Sequence, residues 1–118
     1  MHDVSAPSVA VKRRHEILPI MRQLRQELQE VYGARLKAVY LFGSHARGEA
    51  REDSDIDVAV VLNTFTSAYT ERMQCSELQA QLSLENDCVL TLVFLKVAAF
   101  ERGDYALHRA VAREGIEV

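Results

Sequence analysis

The stretch from Asp55 to Leu62, "DIDVAVVL", narrows the fold more than any other part of the chain. Once past two aspartates it is wholly apolar and rich in β-branched residues, the composition expected of a central strand. Two more short apolar runs accompany it. "KAVYLF" (Lys37 to Phe42) ends at Gly43, and "DCVLTLVFL" (Asp87 to Leu95) is apolar enough to be covered on both faces. Around these runs the apolar period lengthens. Ile17, Ile20, Met21, Leu24, Leu28 and Val31 make one stripe of an amphipathic helix over about His15 to Tyr32, with Pro19 near its start and Gly33 placed to cap its end. Tyr69, Met73, Leu78 and Leu82 predict a helix over 66–84, and a last helix runs from about Tyr105 to Arg113 before Gly115. The expectation is one α/β domain over residues 1–118, a small sheet with helices packed on it, with residues 1 to about 10 as a frayed end.

With 118 residues the chain has material for one core and too little for two. No apolar run reaches the roughly 18 residues needed to span a bilayer, and the N-terminal segment has no apolar h-region, so the expected location is the cytoplasm. Cys75 and Cys88 are then expected as reduced thiols. His2, His15, His45 and His108 lack metal-ligand spacing, which argues against zinc. The net charge is −3 and the one basic cluster, Lys12-Arg13-Arg14, suits a solvated helix start. Long nucleic acid, gripped through several neutralised phosphates, is not expected as a partner.

Asp55 and Asp57 project to the same face of their strand, about 6.6 Å apart along the backbone. Carboxylates held that close repel, which raises a pKa or calls for a cation; magnesium is held by one or two carboxylates together with substrate phosphates. Gly43-Ser44 suits the phosphate side of such a site. A glycine at a strand end allows close backbone approach, Ser44 adds a hydroxyl, and the "HARGE" turn can carry Arg47 to phosphate oxygens. Glu49, Arg51, Glu52 and Asp53 read as a solvated loop, and His45 as an exposed turn residue.

Gly43-Ser44, "ARG" at Ala46 to Gly48, "SDIDVAV" at Ser54 to Val60 and the ending "LHRAVAREGIEV" resemble the minimal nucleotidyltransferases of the DNA polymerase β superfamily. The resemblance covers nearly the whole chain. It implies a small mixed sheet flanked by helices, and a magnesium-dependent reaction that moves a nucleotide from a nucleoside triphosphate to a hydroxyl. It implies also that Gly43 and Ser44 hold the β- and γ-phosphates, and that Asp55 and Asp57 are the catalytic metal ligands. The superfamily places a third carboxylate on the next strand; here that position aligns with Thr91, with Asp87 sharing its parity and Glu85 farther off.

Stand-alone proteins of this kind resemble the antitoxin of two-gene pairs whose toxin is a HEPN ribonuclease. That implies an ATP-dependent transfer of AMP to a toxin tyrosine within a hetero-oligomer. A degenerate transferase that neutralises its partner by contact, and a transferase acting on small molecules such as aminoglycosides, are the alternatives, since a fold does not name its acceptor.

Overall fold

The computed structural model describes residues 14–51 and 54–118. The frayed end expected over residues 1 to 10, Lys12-Arg13 of the basic cluster, and Glu52 and Asp53 of the solvated loop lie outside the described residues. The chain runs α1 (Arg14–Tyr32), a 3₁₀ turn (Gly33–Arg35), β1 (Leu36–Phe42), α2 (Ser44–Arg47) and β2 (Ile56–Leu62). There follow α3 (Ala68–Gln74), α4 (Ser76–Glu85), β3 (Leu90–Lys96), α5 (Val97–Arg102), α6 (Ala106–Glu114) and β4 (Ile116–Glu117).

The sheet order is β3-β2-β1-β4. β1 is antiparallel to both β2 and β4, while β2 and β3 are parallel. The sheet is therefore mixed, as the resemblance implies. Strand alternation sorts its side chains into two cores. Val39, Leu41, Ile56, Val58, Val60, Leu62, Leu90, Leu92 and Phe94 pack with Ile17, Met21, Leu24 and Leu28 of α1. On the other face Ala38, Ala59, Val61 and Leu95 meet Val111 of α6, fringed by half-buried Tyr40, Phe42, Val93 and Phe100. Asp57 shares the parity of Ala59 and Val61, so the acidic pair belongs to this second, more open face.

Several expectations need correction. Val31 is exposed, and Tyr32 takes the buried position at the end of α1. The helix expected over 66–84 is two helices broken at fully buried Cys75 (φ −97°, ψ 2°), and Tyr69 and Met73 point to solvent. What sets this phase is polar. Tyr32 Oη donates to Glu71 Oε1 at 2.8 Å and lies 3.4 Å from Cys75 Sγ. Glu71 and Cys75 are therefore the buried positions, which a hydrophobic stripe does not display. Burial, and then the bond to Cys75, push the Tyr32 phenol well above its ordinary range.

Tyr32→Phe should cost about 2 kcal/mol in chemical denaturation, because it leaves buried Glu71 without the hydroxyl that satisfies it.

The third strand starts at Leu90, not Asp87, because Asp87 turns the chain with φ +50°. Nor is this strand covered on both faces: it lies at the sheet edge, and Thr91 and Val93 are half-buried. Its outer edge is closed at one end by α4, where Leu90 N donates to Ser83 Oγ at 3.1 Å and Gln79 Nε2 donates to the Leu90 carbonyl at 2.6 Å. The short α5 and the two-residue β4 carried no sequence signal. Neither cysteine forms a disulfide, in line with expectation. Among the described residues no helix is long and apolar enough to cross a membrane.

Candidate active site

β1 ends at Gly43, whose φ of +76° and ψ of −155° suit glycine alone. There is a second reason for glycine here: a Cβ at this position would run into the Asp57 carboxylate. From Gly43 the chain makes one turn of helix, closed by Arg47 N to the Gly43 carbonyl at 3.1 Å and Glu49 N to the Ser44 carbonyl at 2.9 Å. Gly48 ends it in the left-handed region, at φ +76° and ψ +21°. The antiparallel register sets Phe42 opposite Asp57, which brings the turn and the mouth of β2 together.

Asp55 is exposed and Asp57 half-buried. The Asp57 carboxyl is raised above its ordinary value, first by burial and second by the charge of Asp55; His45 and Arg47 pull it back in part. Of the two causes that raise it, burial is the larger. Thr91 is the register partner of Asp57 in the parallel pair, and its Oγ1 donates to Asp55 Oδ2 at 3.3 Å. Thr91 therefore stands beside the acidic pair, on the strand next to β2. Asp87 stands before the strand, in the turn, and Glu85 ends α4, so neither shares that strand face.

His45 is buried, not an exposed turn residue: it is 8% exposed, with Nε2 3.4 Å from the Ser54 carbonyl, and so links α2 to the segment leading into Asp55. Arg47 is present in the turn but engaged. Its Nε donates to Glu49 Oε1 at 2.8 Å and its Nη1 to Glu114 Oε1 at 2.9 Å. Glu49, read as merely solvated, is exposed yet bonded. Glu114 was missed by the sequence reading, and no spacing could have found it, since it lies 67 residues from its partner.

Among the described residues no three His, Cys, Asp or Glu side chains converge as a metal cluster. Two carboxylates and a threonine hydroxyl are what the strand ends offer. That donor set fits a hard cation completed by phosphate oxygens.

The nucleotidyltransferase domain family matches residues 21–111, a span containing Gly43, Ser44, Arg47, Asp55, Asp57 and Thr91. The chain belongs to the nucleotidyltransferase domain family. Protein adenylyltransferase MntA of Thermococcus cleftensis is 35% identical over 82 residues, which cover 70% of this nucleotidyltransferase domain chain and 81% of that protein. A Sulfolobus solfataricus protein assigned as a nucleotidyltransferase superposes with a TM-score of 0.62 at 18% identity, over 90% of this chain and 87% of that one. A chain of a toxin–antitoxin complex crystallised with AMP-PNP gives 0.57 at 24% identity, over 80% and 69%. These two solved structures establish the nucleotidyltransferase fold.

Proposed function

We propose that this nucleotidyltransferase domain transfers AMP from ATP to a tyrosine hydroxyl of a HEPN-type toxin, and so acts as its antitoxin in the cytoplasm. The observation that carries the transferase part is the contact between Gly43 and Asp57. The turn able to cradle phosphate and the carboxylate able to hold a cation touch so closely that only a hydrogen fits between them. The likeness to a named protein adenylyltransferase supports protein as the acceptor class.

On this reading Gly43, Ser44 and Arg47 hold the distal phosphates, while Asp55 and Asp57 are the catalytic carboxylates and hold magnesium. Bound magnesium would neutralise charge on the phosphates. The acceptor oxygen forms a bond to the α-phosphorus, the bond from that phosphorus to the β-phosphate bridging oxygen breaks, and pyrophosphate leaves. The hydroxyl proton passes to solvent. Thr91 cannot take it, since a threonine hydroxyl is no base at neutral pH. A phenol, with a pKa near 10, suits such a site better than an aliphatic alcohol.

Ser44→Ala should weaken ATP binding by about tenfold and AMP binding little in calorimetric titration, because the hydroxyl is assigned to the distal phosphates. Equal losses for both nucleotides would remove Ser44 from that role.

A second reading has one observation in its favour. Thr91 in the third position suits a chain that neutralises its partner by contact, with transfer lost. Intact-mass measurement separates the two. The purified chain is incubated with ATP, Mg²⁺ and its co-encoded partner; a gain of AMP less water on the partner supports transfer. Complex formation with no gain in mass, after hours at saturating ATP, supports the contact reading.

A further inference from the structure

We propose that Glu114 is a positioning residue for Arg47, holding the guanidinium at the phosphate turn so that a triphosphate meets it already oriented. This rests on the reading of Gly43 to Arg47 as the phosphate-binding turn. Arg47 is a long side chain, 41% exposed, at the end of a four-residue helix. Left alone it would lose considerable rotamer freedom on gripping an anion. Two carboxylates from separate parts of the chain remove that freedom beforehand. Glu49 is local; Glu114 closes α6, and its side chain is only 21% exposed.

The clasp takes Nε and one bond of Nη1, and neither bond uses Nη2. Donors therefore remain for a phosphate oxygen without breaking the pair.

Glu114 itself rides on a rigid support. The next residue, Gly115, donates its N–H to the Val111 carbonyl at 2.8 Å and lies so close to Tyr40 that a Cβ would come within 3.2 Å of the ring. Ile116 and Glu117 then pair with Leu41 and Tyr40 of β1, the strand that ends in Gly43. The clasp and the phosphate turn therefore share one strand as their base, the arrangement that holds a binding group in place before its ligand arrives.

The test is calorimetric titration of the full chain with ATP and with AMP, both with MgCl₂, for the wild type, Arg47→Ala, Glu114→Ala, Glu114→Gln and the double alanine variant. Glu114→Ala should weaken ATP about three- to tenfold and leave AMP unchanged. Glu114→Gln retains the accepting oxygen and should recover most of that loss. The double variant should bind ATP no more weakly than Arg47→Ala alone, since the two residues act as one unit. Tighter ATP binding by Glu114→Ala would overturn the inference, making Glu114 a competitor of phosphate. So would a lower melting temperature with unchanged ATP affinity, the mark of a structural strut. If Arg47→Ala leaves ATP affinity unchanged, the phosphate reading of the turn has failed. If Arg47→Ala weakens ATP and Glu114→Ala does not, the positioning inference alone has failed.

Discussion

Asp57→Asn should melt at least as high as the wild type in metal-free buffer at pH 7, yet gain nothing from ATP and Mg²⁺. Burial and the neighbouring Asp55 raise the Asp57 carboxyl above its ordinary value, so the folded state disfavours the anion relative to the unfolded chain. For an acid raised in this way, the stability it contributes is fullest below the unfolded pKa and is lost as pH rises through the folded one. At pH 7 the cost is present in full, and asparagine removes it while keeping the shape. The wild type, by contrast, should rise by about 10 °C when the nucleotide and Mg²⁺ are present at a hundredfold excess over Kd. Asp55→Asn should behave alike, since its amide oxygen still accepts from Thr91 Oγ1. Differential scanning calorimetry with EDTA, and then with ATP and MgCl₂, reads both effects. A melting point several degrees lower in EDTA would make the pair structural and end the metal reading.

Thr91→Asp is the second large effect, and it should raise AMP transfer by about 10²–10⁴-fold, the range that a placed general base contributes. Thr91 partners Asp57 in register and touches Asp55 with its hydroxyl, so an aspartate there would join both carboxylates on one face. That crowding has a converse. Three carboxylates without a cation repel more than two, so the variant should melt lower in EDTA and recover with Mg²⁺. Asp87→Asn should change neither quantity, because Asp87 lies in the turn before the strand. Transfer is followed by the mass of the partner protein. An unchanged rate for Thr91→Asp, with a loss for Asp87→Asn, would return the third position to Asp87.

The parts of the site that could be read in the sequence are those set by near neighbours. Gly43-Ser44 and Asp55-x-Asp57 sit where apolar runs stop and start, so strand ends and side-chain parity place them without knowledge of the rest. Thr91 came from the family resemblance, with Asp87 as the alternative, and it is the fold that sets Thr91 opposite Asp57. What stayed hidden depends on contacts between distant segments. His45 looks like any turn residue until α2 folds back over Ser54. The phase of α3 follows from Tyr32 seeking Glu71 and Cys75 across 39 and 43 residues, and it runs against the stripe of Tyr69 and Met73. Helix α5 and strand β4, with six residues and two, are too short for any period to register.

The side chains of α4 that close the outer edge of β3 have a consequence for behaviour at high concentration. A sheet edge with bare amides and carbonyls is a template on which another chain can lay a strand, and repeated addition of that kind ends in fibres. In β3 the first outward-facing pair of backbone groups, on Leu90, is already satisfied by Ser83 and Gln79. At the other end the strand passes directly into α5 after the charged Lys96. A strand added at the Leu90 end would first have to displace a serine and a glutamine one helical turn apart.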